Sequence, residues 1–359
     1  MKRSSGGIVT VRCLRAAAVA AGIGLSVLAL SARANAESIV EAPAAISTTD
    51  VSVTDVSVTA RPLEAFDLRD RTHRRFGQLQ FRSGLVLSSS FKHFGGLSAF
   101  RLHARGENFV AVNDRGRWFT GRLVYEGAAL ASLADVRSAP MLGADGLPIT
   151  SKRIFDSESL AVDGSTLYVG IERKHRILRF DFGRGGMISR GAEIAVPPAV
   201  RRLPNNQGIE GLVFVPKGSP LAGTLIAVSE RGLDPSGNLS AFLIGGPRPG
   251  QFSVRRTDHF DISDAALLPG GDLLLLERKF SLMHGIGVRV RRIPQKTIAP
   301  RATVDGPTIF QADLGHEIDN LEAIDVHVTE AGETVVTMVS DDNFSMLQRT
   351  LLLQFTLVE

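Results

Sequence analysis

The sequence predicts an all-β protein, a β-propeller of five blades, on three observations. Strand-like runs separated by turn residues fill most of the chain after residue 63. A short motif recurs along it at intervals of 52 to 63 residues. Each copy is followed by a turn and a second strand that ends in an acid. A repeat of 50–60 residues with several strands per unit is the signature of propeller blades, each about four strands of five or six residues plus turns.

The chain has 359 residues. The first 36 read as a secretory signal. Lys2, Arg3, Arg12 and Arg15 form a positive start, residues 16–30 an apolar run, and Ala34-Asn35-Ala36 a small-residue cleavage site. The run is shorter than the roughly 20 residues that span a bilayer, so no stable membrane span is expected after cleavage. The expected location is periplasmic or secreted, in a bacterium. The signal also accounts for the charge. Five of the 41 basic residues and none of the 37 acidic ones fall in it, so without it 36 bases face 37 acids. The formal +4 of the whole chain therefore gives no reason to expect a nucleic-acid partner. Cys13 is the one cysteine and lies in the signal, which excludes disulfides, a thiol nucleophile and Cys-ligated zinc from the mature chain.

Residues 37–62 read as a flexible linker, rich in Ser, Thr, Ala and Val, with DVSVT at 50–54 repeated at 55–59. The globular domain spans 63–359. Its strand-like runs include Leu79–Ser88, Asn108–Asn113, Thr166–Glu172, Thr224–Ser229, Asp272–Leu276, Thr334–Val339 and Thr350–Leu357. Ala128–Ala134 is a short helical piece by composition. Pairing of Leu79–Ser88 with Thr350–Leu357 is expected to close the ring and remove two open sheet edges.

Three copies of the motif read acid, small residue, Leu or Ile: Glu158-Ser159-Leu160, Glu210-Gly211-Leu212 and Glu322-Ala323-Ile324. Gly95-Gly96-Leu97 and Asp264-Ala265-Ala266 fit the frame loosely. The second strands end at Asp114, Glu172, Glu230, Glu277 and Asp341, and Arg115, Arg173, Arg231 and Arg278 follow four of these. Five copies give five blades, and a sixth is left open in the long interval 95–158. The start of one strand in an antiparallel hairpin lies beside the end of the next. The nine acids Asp114, Glu158, Glu172, Glu210, Glu230, Asp264, Glu277, Glu322 and Asp341 are therefore expected at one mouth of the central channel.

That many carboxylates repel unless a cation offsets them. Oxygen ligands without Cys suit Ca²⁺, and the nine acids are its expected ligands. Ca²⁺ with Arg115, Arg173, Arg231 and Arg278 suits a small phosphorylated substrate, with Glu210, Glu230 and Glu158 as catalytic carboxylates. The plainer reading is that the acid-Arg pairs tie blade to blade. Under that reading Glu210→Gln and Glu230→Gln lower the melting temperature and cost no activity. The eight histidines show no metal-ligand spacing, there is no G-x-S-x-G elbow, and residues 183–186 (GRGG) read as a turn.

Together the motifs resemble the phytase-like domain family, "esterase-like activity of phytase". They are Gly95-Gly96-Leu97-Ser98, Asp156-Ser157-Glu158-Ser159-Leu160-Ala161, Asn206-Gln207-Gly208-Ile209-Glu210-Gly211-Leu212, Ser229-Glu230-Arg231, Leu276-Glu277-Arg278, Asp319-Asn320-Leu321-Glu322 and Ser340-Asp341-Asp342-Asn343. The resemblance covers about 63–359. It implies an exported propeller that hydrolyses phosphoesters. A lactonase or carboxylic esterase on the same fold, and a non-catalytic binding propeller, are the alternatives.

Overall fold

A computed structural model describes residues 51–103, 105–149, 156–281 and 285–358. The expected signal lies outside the described residues. Within them no helix is long and apolar enough to cross a membrane.

The strands form five antiparallel meanders. Their innermost strands are Leu97–Leu102, Ser157–Asp163, Ile209–Phe214, Asp261–Leu267 and Asn320–Val328. Each packs beside the next, and the fifth packs against the first, so the five close a ring around a central channel. The blade count is five. The fifth blade runs outward from Asn320–Val328 through Thr334–Asp341 and Thr350–Leu357 to Leu79–Ser88. The expected closure is thus observed, and eight pairs join Thr350–Leu357 to Leu79–Ser88. Head and tail of the domain share one sheet, so each covers the other's edge there.

The core lies between blades. Five separate apolar clusters fill the five interfaces. Successive side chains of a strand point to opposite faces, so each blade must be apolar on both. The run Leu273–Leu276 shows this directly. Leu273 and Leu275 enter the cluster shared with the third blade, and Leu274 and Leu276 the one shared with the fifth. Such strands read as unbroken apolar runs, which makes them conspicuous in sequence.

Two expectations change. The segment read as linker contributes strands from residue 54 onward. Thr54–Asp55 pairs with Arg137–Ser138, and Thr59–Pro62 with Leu85–Ser88. Val56 between them is buried in the cluster of the fifth and first blades. The alternating Val residues found a sheet edge far away in sequence. Ala128–Ala134 is not helical either. It begins the long strand Ala129–Pro140, paired along Arg117–Glu126. A neighbouring strand and a waiting core override the helix preference of Ala and Leu.

Candidate functional site

One irregularity is repeated in every blade and builds the site. Where each innermost strand begins, one residue is bulged out of its ladder: Ser98, Glu158, Glu210, Ser263 and Glu322. A bulge leaves one residue unpaired and re-aims its side chain. The residue two before the bulge meets the end of the second strand. The backbone N–H of Asp114 donates to Gly96, that of Glu172 to Asp156, and that of Glu230 to Gly208, at 2.8–2.9 Å. In the other blades Asp261 stands opposite Arg278, and Asn320 opposite Asp341. The ring thus has two positions per blade. The bulge positions are Ser98, Glu158, Glu210, Ser263 and Glu322. The strand-end positions are Asp114, Glu172, Glu230, Arg278 and Asp341.

Seven of the nine expected acids meet at this mouth. Asp114, Glu158, Glu172, Glu210, Glu230, Glu322 and Asp341 line a cavity of about 280 Å³. Asp264 and Glu277 do not, because the fourth blade places its bulge one residue earlier, and its strand end one residue later, than its sequence suggests. Ser263 and Arg278 hold its two places, and a shift of one residue turns a strand's side chains to the other face. Asp264 instead lies inside the channel, where Arg101 donates to both its oxygens at 2.7 Å. The same guanidinium bonds carbonyls of Phe100, Leu212, Ala265 and Ile324. Glu277 is fully buried within its blade between Arg289 and Arg291, at 2.6–2.9 Å. Both acids are structural ion pairs.

The arginines divide in the same way. Of the four expected to bind substrate, Arg278 alone lines the cavity. Its Nη1 donates to Asn320 at 2.7 Å and to Glu322, and its Nη2 stands 3.6 Å from Glu230. Arg173 is held by Asp156 at 3.1 Å, and Arg231 by Asp261. Arg115 stacks on the Phe344 ring, 3.2 Å from its centroid. These three sit beside the mouth rather than in it.

Sequence reasoning missed Asp156, Asn206 and Asn343, which also line the cavity. Both asparagines have left-handed backbones, φ 53° and 48°, a conformation Asn tolerates better than most residues. All three stand in motifs that carry the family resemblance, so a signal existed. Gly208 in the same motif is needed for close approach. Its N–H donates to Glu172 at 3.1 Å, and a Cβ there would lie 2.6 Å from the Glu172 side chain.

Two sets of three carboxylates could each hold a cation. Oxygens of Asp156, Glu158 and Glu172 lie within 4.8 Å of one another, as do those of Glu172, Glu210 and Glu230. Burial, then the neighbouring carboxylates, pushes Glu158 and Glu210 well above the usual carboxylate range. Burial also raises Glu172 and Glu230. It lifts Asp341 to about 7, against a hydrogen bond from the Asn343 N–H. Glu210 is only 6% exposed and faces the cavity, with no hydrogen bond or ion pair to any described residue. A buried carboxylate without a partner is costly. The donor set of acid and amide oxygens suits a hard divalent cation such as Ca²⁺.

Fold and mouth together define a five-bladed propeller with an oxygen-rich, acidic site at one end of its channel. The chain belongs to the phytase-like family, "Esterase-like activity of phytase", whose model matches residues 92–344. No curated protein gives a match. Among solved structures, a glutaminyl cyclase of Myxococcus xanthus is 12% identical with a TM-score of 0.40, covering 74% of this chain and 92% of its own. A gluconolactonase of Xanthomonas campestris is 12% identical with a TM-score of 0.39, covering 83% and 97%. A PQQ-bound aldose sugar dehydrogenase of Streptomyces coelicolor is 10% identical with a TM-score of 0.40, covering 84% and 98%. Likeness at this level says nothing about what this chain acts on.

Proposed function

We propose that the protein is an exported, metal-dependent hydrolase of phosphate esters, with the acidic mouth as its active site. The observation that carries this reading is Glu210, a buried carboxylate with no partner among the described residues, in a cavity with seven others. Membership of a phytase-like family supports the reaction class.

The two carboxylate trios would hold Ca²⁺, with Glu172 common to both. When bound, the cation supplies positive charge to a phosphoryl group. The chain's own residues do the rest. Arg278 directs a guanidinium into a mouth otherwise lined by acids and amides, and an arginine fork fits phosphate oxygens. A carboxylate oxygen of the Glu158, Glu210 and Glu230 set that the cation leaves free would take the proton of the attacking water. In the protein without its cation, burial raises these groups above the usual carboxylate range. Water oxygen adds to phosphorus, the bond to one alcohol oxygen breaks, and the alcohol leaves with the proton the carboxylate took.

Purified mature protein is to be titrated with Ca²⁺ by calorimetry and assayed on p-nitrophenyl phosphate and bis(p-nitrophenyl) phosphate. Uptake of Ca²⁺ and chelator-sensitive turnover are expected. If neither ester is cleaved with Ca²⁺ bound, the hydrolase reading fails. Aryl esters and lactones in the same panel test for a carboxylic esterase.

A further inference from the structure

The channel has a second mouth, and its chemistry is the reverse of the first. The five innermost strands begin at the acidic cavity and run away from it. Their far ends, from Arg101 and Leu102 in the first blade to Asp325 and Val326 in the fifth, line a separate cavity of about 380 Å³. Most of its wall is apolar, including Val162, Val213, Phe214 and Leu267. An apolar cleft of this size with a few polar groups is the usual form of a small-molecule site.

Three charged side chains line this cavity: Arg101, Asp163 and Asp325. Arg101 is already committed. Its two Nη atoms donate to both oxygens of Asp264 and to four backbone carbonyls. Asp325 accepts the backbone N–H of Leu102 at 2.6 Å and makes no ion pair with a described residue. Burial raises it to about 6, against the pull of Arg101, so it is largely ionised above pH 7. One guanidinium thus serves Asp264, and the Asp325 carboxylate borders an apolar cavity without a cation of its own. Asp163 adds a second negative charge at the exposed rim. A carboxylate drawn out of water favours a cationic partner.

We propose that this second mouth binds a small organic amine, a protonated ammonium group carried on an apolar body. The ammonium pairs with Asp325, and the body lies against Phe214, Leu267 and Val326. An anion of the same shape meets two carboxylates and no uncommitted cation, so the site selects both the sign of charge and apolar size. The first mouth is lined by acids, amides and one arginine, which give an apolar body nothing to cover. The site is independent of the hydrolase reading.

The test is calorimetry on the full chain with phenethylamine, methylamine and phenylacetate as probes, with Ca²⁺ in excess to compete at the acidic mouth. Phenethylamine is expected to bind about tenfold or more tightly than methylamine, and phenylacetate not to bind. Asp325→Asn, which keeps an acceptor for the Leu102 N–H, should weaken phenethylamine by about tenfold or more. Phe214→Ala should narrow its lead over methylamine. In NMR spectra of the unmutated protein, amide shifts on adding phenethylamine should gather at Val162, Phe214 and Val326 rather than at Asn206 and Asn343. Those shifts need no variant, so they decide the matter even if Asp325→Asn fails to fold. The proposal is overturned if phenylacetate binds as tightly as phenethylamine, if folded Asp325→Asn keeps the parent's affinity, if the shifts gather at the acidic mouth, or if no probe binds.

Discussion

Glu277 and Glu210 sit one blade apart, and both are more than nine-tenths buried. Their surroundings are opposite. Glu277 is gripped by Arg289 and Arg291, whose remaining donors reach Asp258 and Asp305. Among the described residues, Glu210 has other carboxylates around it and the distant charge of Arg278. A buried charge that is fully paired belongs to the scaffold, because breaking the pair strands the partners. A buried charge left unpaired costs stability in the free protein, and a cation bound there would offset that cost. The propeller thus uses one residue type for two ends, and the partners decide which.

The largest effect should follow from breaking the paired side. Glu277→Gln leaves two buried guanidinium groups without their carboxylate, and a loss of about 3–5 kcal/mol is expected. Urea unfolding would measure it. A variant as stable as the parent contradicts the scaffold role.

The unpaired side should respond to ions instead. At a hundredfold excess over its Kd, Ca²⁺ should stabilise the protein by about 2.7 kcal/mol per site, read as a rise in Tm. Without metal, stability should fall as pH rises. Glu158, Glu172, Glu210, Glu230 and Asp341 all hold protons more tightly when folded than when unfolded. The folded state therefore binds more protons from about pH 4, the ordinary carboxylate range, up to about 7 for Asp341. Over that window the metal-free melting temperature should decline, and saturating Ca²⁺ should flatten the slope. A metal-free protein that gains stability from pH 5 to 7 would contradict the crowding of charge at the mouth.

Gly208→Ala comes next. Its Cβ would press on Glu172, the acid common to both trios, at a cost of about 1–3 kcal/mol. Calorimetry should show weaker Ca²⁺ uptake as well, and unchanged uptake would mean that Glu172 holds no ion.

The smallest stability change separates the two regions most sharply. Glu210→Gln should leave metal-free stability at pH 7.5 within about 1 kcal/mol of the parent, or raise it, while weakening Ca²⁺ binding. A large drop in Tm would place Glu210 with Glu277 as a structural residue.

Much of this was legible before folding. The repeat marked five blades, and apolar runs such as Leu273–Leu276 marked strands buried on both faces. Leu79–Ser88 and Thr350–Leu357 stood out as closing partners. Seven of the mouth acids could be found because the bulge and strand-end positions recur at blade intervals. The fourth blade was misread, since Asp264 mimics the bulge position one residue late and Glu277 the strand-end position one residue early. A β-bulge is a matter of ladder register, and single letters do not display it. Asp156, Asn206 and Asn343 were visible as motif residues but gave no sign of facing a cavity.

The sequence by itself determined the repeat, the strand content, the closure and the acid-rich character of each blade. These are local patterns, written in spacing and hydrophobicity. Only the tertiary structure decided which acids share a cavity. It placed Arg101 across the channel onto Asp264, closed Arg289 and Arg291 on Glu277, and left Glu210 with no ion-pair partner among the described residues. Those partners come from other strands, and for Asp264 from another blade. The energy of a buried charge depends on what folding brings beside it rather than on its neighbours in the chain.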